Sequence, residues 1–250
     1  AGNPYNKTNL APVYTGKSFN LWNHDTHNYF DWIDPIIAKK YLFEKRVKGV
    51  NLKTSASFRL DKSFVEDKNT LPCNFPRISF RDIVRSSDSR TSIAALIPPN
   101  VFLTNKAPYI LNRNRHIPEE SYLLGIMCSI AFDWISRRFI ELGFNKFFLD
   151  MMPIPKFEKS NPVANKIVEV SGRLAAVDER YNSWASAINV ETNSIKTPLE
   201  KEQLIFRLDA LIFHQYGFDE EDIKLIFETH EGKIENNRMK EVLNNFKEIR

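Results

Sequence analysis

Residues 51–60 (NLKTSASFRL) alternate strictly, with Leu52, Thr54, Ala56, Phe58 and Leu60 on one face and Lys53, Ser55, Ser57 and Arg59 on the other. A period of two predicts a half-buried strand with a polar, partly basic outer face. Residues 13–22 form a second candidate strand, and the polar stretch 61–75, which ends among Pro72 and Pro76, predicts a loop. Residues 78–85 (ISFRDIVR) fit a strand or a short helix, and a helix would align Arg77, Arg81 and Arg85 on one face. The strand is favoured, because residues 86–90 read as a turn. That turn leads into TSIAALI at 91–97, a short apolar run closed by Pro98 and Pro99.

The periodicity then becomes helical. Pro118 opens a helix, Glu119 and Glu120 suit its positive N-terminal end, and Gly143 closes it. Leu123, Ile126, Met127, Ile130, Trp134 and Ile135 give it a broad apolar stripe. Residues 146–152 (KFFLDMM) read as extended, before Pro153 and Pro155. Residues 163–188 read as one long helix. Thr197-Pro198-Leu199-Glu200 is a capping box with proline at the first helical position, opening a helix that Gly217 ends. Asp219 caps a short helix through Phe227, and residues 236–249 form a terminal helix. The fold class that follows is α+β: a strand-containing region over residues 1–155, a polar, proline-bounded linker over 156–162, and an α-helical region over 163–250.

Composition narrows the class further. The 250 residues include 19 Phe, 8 Tyr and 4 Trp, enough to fill a sizeable core and to exclude a disordered chain. Only 8 glycines argue against a glycine-looped nucleotide binder. Cys73 and Cys128 belong to no CxxC or Cys/His cluster, which disfavours a zinc site or a disulfide framework and points to a cytoplasmic protein. No apolar run approaches a membrane span. The N-terminus has no signal-peptide layout and begins abruptly, which suggests a piece of a longer polypeptide. A net charge of +4 permits a polyanionic partner without demanding one.

Familiar catalytic sets are missing. There is no GxGxxG, no phosphate-binding loop and no GxSxG elbow. His24-Asp25 with His27 offers too few convergent ligands for a metal, and His116, His214 and His230 stand alone. Asp61, Glu66 and Lys68 match a metal-dependent nuclease only as a chance triplet in a charged loop. Neither Asn3-Pro4-Tyr5 nor Ile97-Pro98-Pro99-Asn100 completes the motif by which DNA amino-methyltransferases hold a flipped base.

Basic residues gather instead at Arg77, Arg81, Arg85 and Arg90, among Ser86, Ser87, Ser89 and Thr91 and interrupted by Asp82 and Asp88. Guanidinium forks recognise phosphates and guanine edges, and short hydroxyls suit phosphate contact. A surface salt-bridge network fits the same pattern. Lys53 and Arg59, and also Lys106, Arg113 and Arg115, would extend such a surface, whereas Arg137 and Arg138 read as a solvated helix edge plus one snorkelling side chain.

Four separated stretches resemble the region that follows the catalytic domain in type IIG restriction endonuclease–methyltransferases and related adenine-specific DNA methyltransferases. They are PVYTGKSFNLWNHD at 12–25, RISFRDIVRSSDSRTSIAALIPPNVFLTNKAPYIL at 77–111, LLGIMCSIAFDWISRRFIELGFNKFFLDMMPIP at 123–155 and DALIFHQYGFDEEDIKLIF at 209–227. In the first, Thr15 replaces the family's acidic residue, Asn23 stands for its Asp, His24 matches, and Asp25 stands where Arg is usual. The resemblance implies a target recognition domain whose partners are double-stranded DNA and the upstream methyltransferase and endonuclease domains of the same polypeptide. The parent would use S-adenosylmethionine and Mg, with no cofactor in this fragment. The DNA-binding residues expected on this reading are Arg77, Arg81, Arg85 and Arg90, with Lys17, His24, Lys53 and Arg59 in support. Family-wide arginines would hold phosphates or build the fold, and specificity would lie in variable stretches such as 51–74. The alternatives are a structural module docking through the helices at 163–188 and 198–216, and a stand-alone nuclease.

Overall fold

The computed structural model of the chain describes residues 9–140, 143–230, 234 and 236–249, and its class is α+β. β1 (Ala11–Tyr14) pairs antiparallel with β2 (Asp31–Ile33), with Val13 opposite Asp31. β3 (Arg77–Phe80) and β4 (Ala94–Ile97) form a separate antiparallel hairpin, with Ile78 opposite Leu96. β5 (Phe102–Leu103) returns to the first sheet, parallel to β1. Every residue of β3 and β4 is buried: β4 (AALI) is an unbroken apolar run, and β3 (RISF) also buries Arg77 and Ser79, which bond to backbone carbonyls.

Between β2 and β3 in the chain comes α1 (Pro35–Gly49), which the strand-and-loop reading of the first third missed. Its start signal is plain in retrospect. The Asp34 carboxylate accepts the Ile36 and Ile37 amides, and Pro35 sits at the first turn. The helix rests on the first sheet through Ala38, Leu42 and Phe43, against Ala11, Leu71, Cys73 and Phe102.

Residues 51–60 are not a strand. Successive turns carry the chain, with amides bonding three residues back from Leu52 to Gly49, Ser55 to Leu52 and Phe58 to Ser55. Leu52 is exposed and Arg59 takes a left-handed φ of 60°. Among the described residues no strand pairs with this segment, and alternation without a ladder partner leaves backbone donors unsatisfied. Residues 61–75 hold a short helix, α2 (Lys62–Glu66), and two 3₁₀ turns rather than a plain loop.

The helix expected over 118–143 is two helices, α3 (Ile117–Cys128) and α4 (Ile130–Arg137). Ser129 turns extended between them, and its hydroxyl accepts the Phe132 amide. Residues 146–152 are not extended: Asn145 caps α5 (Lys146–Met151) by accepting the Phe147 and Phe148 amides. The single long helix expected over 163–188 divides into α6 (Pro162–Ala175), a 3₁₀ turn and α7 (Asn182–Ser186), because Asp178 starts a new cap. α8 (Pro198–Tyr216), α9 (Glu220–Thr229) and α10 (Asn236–Glu248) fall where the sequence places them.

α3 packs on α6, α6 on α8 and α8 on α10. One apolar interior holds Ile78, Leu96, Leu124 and Phe132 together with Ile167, Trp184, Leu211 and Val242, so residues on both sides of 156–162 share a core. The apolar positions of α6 and α8 are used inside the chain, and Leu199 is the large apolar residue of the pair left exposed. No helix among the described residues is long and apolar enough to cross a membrane.

Gly217 ends α8 in the left-handed conformation at φ 77°, and no atom lies within 4 Å of where its Cβ would be. Gly217→Ala is therefore expected to cost about 1 kcal/mol from backbone conformation alone, read as a lowered urea midpoint.

Candidate nucleic-acid interface

The eight residues expected to touch DNA separate in the structure into interior and surface sets. Arg77 is buried in β3. Its guanidinium donates to the Val101 carbonyl at 2.6 Å and the Phe75 carbonyl at 3.4 Å, and stacks over Tyr109. Burial draws its pKa down, with Tyr109 opposing. Arg90 is also interior and donates to the carbonyls of Cys128 at 2.8 Å and Ser129 at 2.7 Å. Its Nε lies 3.4 Å from the Asp133 carboxylate. Both arginines are therefore withdrawn from the DNA-binding set.

For Arg90 the reason is the break at Ser129. A helix end in the core exposes carbonyls and amides that must find partners. Arg90 takes two of those carbonyls, the Ser92 hydroxyl donates to Met127 at 2.7 Å, and the Asp209 carboxylate accepts the Ile130 amide at 2.9 Å. Asp133, fully buried, accepts the amides of Thr91 at 2.6 Å and Ser92 at 2.8 Å and the Nε of Arg137 at 3.0 Å, with His230 Nε2 at 2.8 Å. Arg137 is not a solvated edge: it is buried and also donates to the carbonyls of Ser86, Asp88 and Ser89. It thus fixes the 86–89 turn from below.

Above that interior, three loops meet. Arg81 is half-buried, and its guanidinium donates to the Phe19 carbonyl at 2.7 Å. Burial lowers its pKa, with Asp88 opposing. A Cβ at Gly16 would stand 3.0 Å from the Lys106 carbonyl and 3.5 Å from Arg81, so a larger residue there would have to push the Lys106 backbone back by a few tenths of an ångström. The Asp82 amide donates to the Lys106 carbonyl at 3.3 Å, and Lys106 Nζ pairs with the Asp82 carboxylate at 3.1 Å. Lys17 and Arg85 are exposed on the same loops, and the Arg85 amide is held by Asp88 at 2.9 Å. The loops that carry Lys17, Arg81 and Lys106 are thus held together, with Arg85 exposed four residues beyond Arg81 and with Asp82 and Asp88 moderating the positive charge. Such an arrangement suits phosphate oxygens, which need fixed donors and no proton transfer.

His24 is directed elsewhere. Its Nε2 lies against the Arg180 guanidinium and 3.7 Å from Asp178, and its ring meets Tyr181 edge-on. Burial first, and then Arg180, lower its pKa. Lys53 and Arg59 are exposed in the turns beyond α1, where Arg59 covers the Phe58 ring.

The candidate nuclease residues are occupied in local surface contacts. Asp61 caps α2, Glu66 pairs with Lys62 at 3.7 Å, and all of them are exposed. Among the described residues no group of three His, Cys, Asp or Glu side chains is placed to hold a metal ion. No protein-family model matches the chain, nor does any curated protein or solved structure.

Sequence reasoning overlooked the lysines of α1. The signal was the Asp34-Pro35 helix start, after which Lys40, Glu44 and Lys48 follow four residues apart on one side.

Proposed function

We propose that this chain is a double-stranded DNA recognition module of a restriction–modification enzyme, a target recognition domain that sets where methyltransferase and endonuclease domains of the same polypeptide act. The observation that carries the reading is the meeting of the loops that bear Lys17, Arg81 and Lys106, with Arg85 exposed on the Arg81 loop. Loops already held in place need no backbone ordering when they meet phosphates, which leaves only the exposed side chains to be ordered. The resemblance of residues 12–25 and 77–111 to target recognition domains includes all three of these loops. In this reading S-adenosylmethionine and Mg belong to the upstream domains, and this chain supplies grip and register. An enzyme that must extrude a base for chemistry needs such a second hold on the duplex.

The test is fluorescence anisotropy of a labelled 30-base-pair duplex titrated with the chain at several salt concentrations. Log affinity is expected to fall linearly with log salt, with a slope near 3 to 4, at about 0.9 per phosphate contact. Absence of duplex binding at 50 mM salt, or binding indifferent to salt, would overturn the reading.

A further inference from the structure

Thirty residues from Lys39 to Lys68 hold nine Lys or Arg against four Asp or Glu, a local +5 that exceeds the +4 of the whole chain. The α1 helix opens this segment, and its orientation is fixed. Ala38, Arg46 and Gly49 face inward. The Arg46 guanidinium is tied to Thr70 Oγ1 at 2.9 Å and to the Asp67 carbonyl at 2.7 Å. The opposite stripe therefore faces solvent: Ile37, Tyr41, Glu44 and Lys48 lie along it, with Ile36 and Lys40 beside them. Ile36 is 78% exposed, Ile37 63% and Tyr41 62%.

We infer that α1 is the element of this module that reads base edges, lying in the major groove of duplex DNA along the Ile37–Tyr41–Glu44–Lys48 stripe. This rests on the DNA-recognition reading above and adds to it the reading element. The helix has 15 residues and so spans about 22 Å, and a helix fits the major groove. Exposed aliphatic and aromatic side chains suit the thymine methyl group, and a carboxylate suits the N4 donor of cytosine. Glu44 is the informative residue. A carboxylate in the middle of a basic face opposes phosphate binding, but it gains where it can accept from a base. The lysines argue for DNA over a protein partner, because protein interfaces deplete lysine at their centres. Lys53 and Arg59, exposed in the turns that follow the helix, add positive charge beside it in the chain.

The experiment uses the 250-residue chain with a pool of randomised 30-base-pair duplexes, selected over several rounds and sequenced, plus anisotropy on one unrelated duplex. The wild type is expected to enrich a motif. Glu44→Gln should bind the unrelated duplex about threefold more tightly, because a repulsive charge is gone, and should relax preference at one base pair by about tenfold. Ile37→Ser with Tyr41→Ala changes exposed positions only. It should keep the wild-type circular dichroism and salt slope while altering the enriched motif. An unchanged motif in both variants, or no motif in the wild type, overturns the role of α1 and leaves DNA binding standing. Loss of all duplex binding in the wild type overturns the underlying reading as well. Self-association in sedimentation that Ile37→Ser with Tyr41→Ala abolishes, with the motif intact, assigns the face to a second copy of the chain and overturns the inference.

Discussion

Replacing Asp133 with alanine is expected to cost about 3–5 kcal/mol of folding stability, a large share of what a domain has. The carboxylate is fully buried and holds Arg90, Arg137, His230 and the amides of Thr91 and Ser92 together. Its loss leaves two guanidinium groups in the core without a counter-charge. Urea unfolding followed by circular dichroism measures the effect, and an unchanged midpoint would show that the network is dispensable. The same group sets an acid limit. Burial alone would raise its pKa. The Arg90 charge, the His230 hydrogen bond, the Ser92 amide and the Arg137 charge together outweigh burial and hold it well below the ordinary carboxylate range. A folded pKa below the unfolded one adds stability that is complete above the unfolded value and is lost as pH falls toward the folded one. Wild-type stability should therefore drop as pH falls from 5 to 3, and Asp133→Asn should flatten that part of the curve.

Combining Lys17→Ala, Arg85→Ala and Lys106→Ala is expected to weaken duplex binding about 100-fold at 0.15 M salt and to reduce the salt slope by about 2–3. Each missing phosphate contact takes about 0.9 from the slope. Arg81 is kept in this variant because its guanidinium also holds the Phe19 carbonyl, so its removal would mix folding with binding. The three chosen side chains are exposed, and the surface pair of Lys106 with Asp82 contributes little to stability. Urea unfolding should be nearly unchanged. If affinity and slope both stay at wild-type values, phosphate binding lies elsewhere on the chain.

Several elements were legible because their signals are local. Thr197-Pro198 with Gly217 delimits α8, and Asp219 opens α9, since caps act within one helical turn. Arg77 and Arg90 were misread because a guanidinium inside the protein and one facing DNA have the same sequence signature. What separates them is the partner, and for Arg90 the partners are carbonyls of Cys128 and Ser129, nearly forty residues away. The alternation of residues 51–60 misled for a related reason. Period two specifies which face each side chain takes, but a strand also needs a neighbour to complete its hydrogen bonds.

By itself the sequence determined the α+β class, the helical C-terminal half, the basic character of the 77–90 stretch and the caps that start and stop the later helices. These depend on composition and on contacts between residues a few positions apart. Only the tertiary structure decided which arginines reach solvent, where the helix at Ser129 breaks, and that the loops of Lys17, Arg81 and Lys106 meet. Those outcomes follow from satisfying buried polar groups across long stretches of chain, a condition that no local pattern encodes.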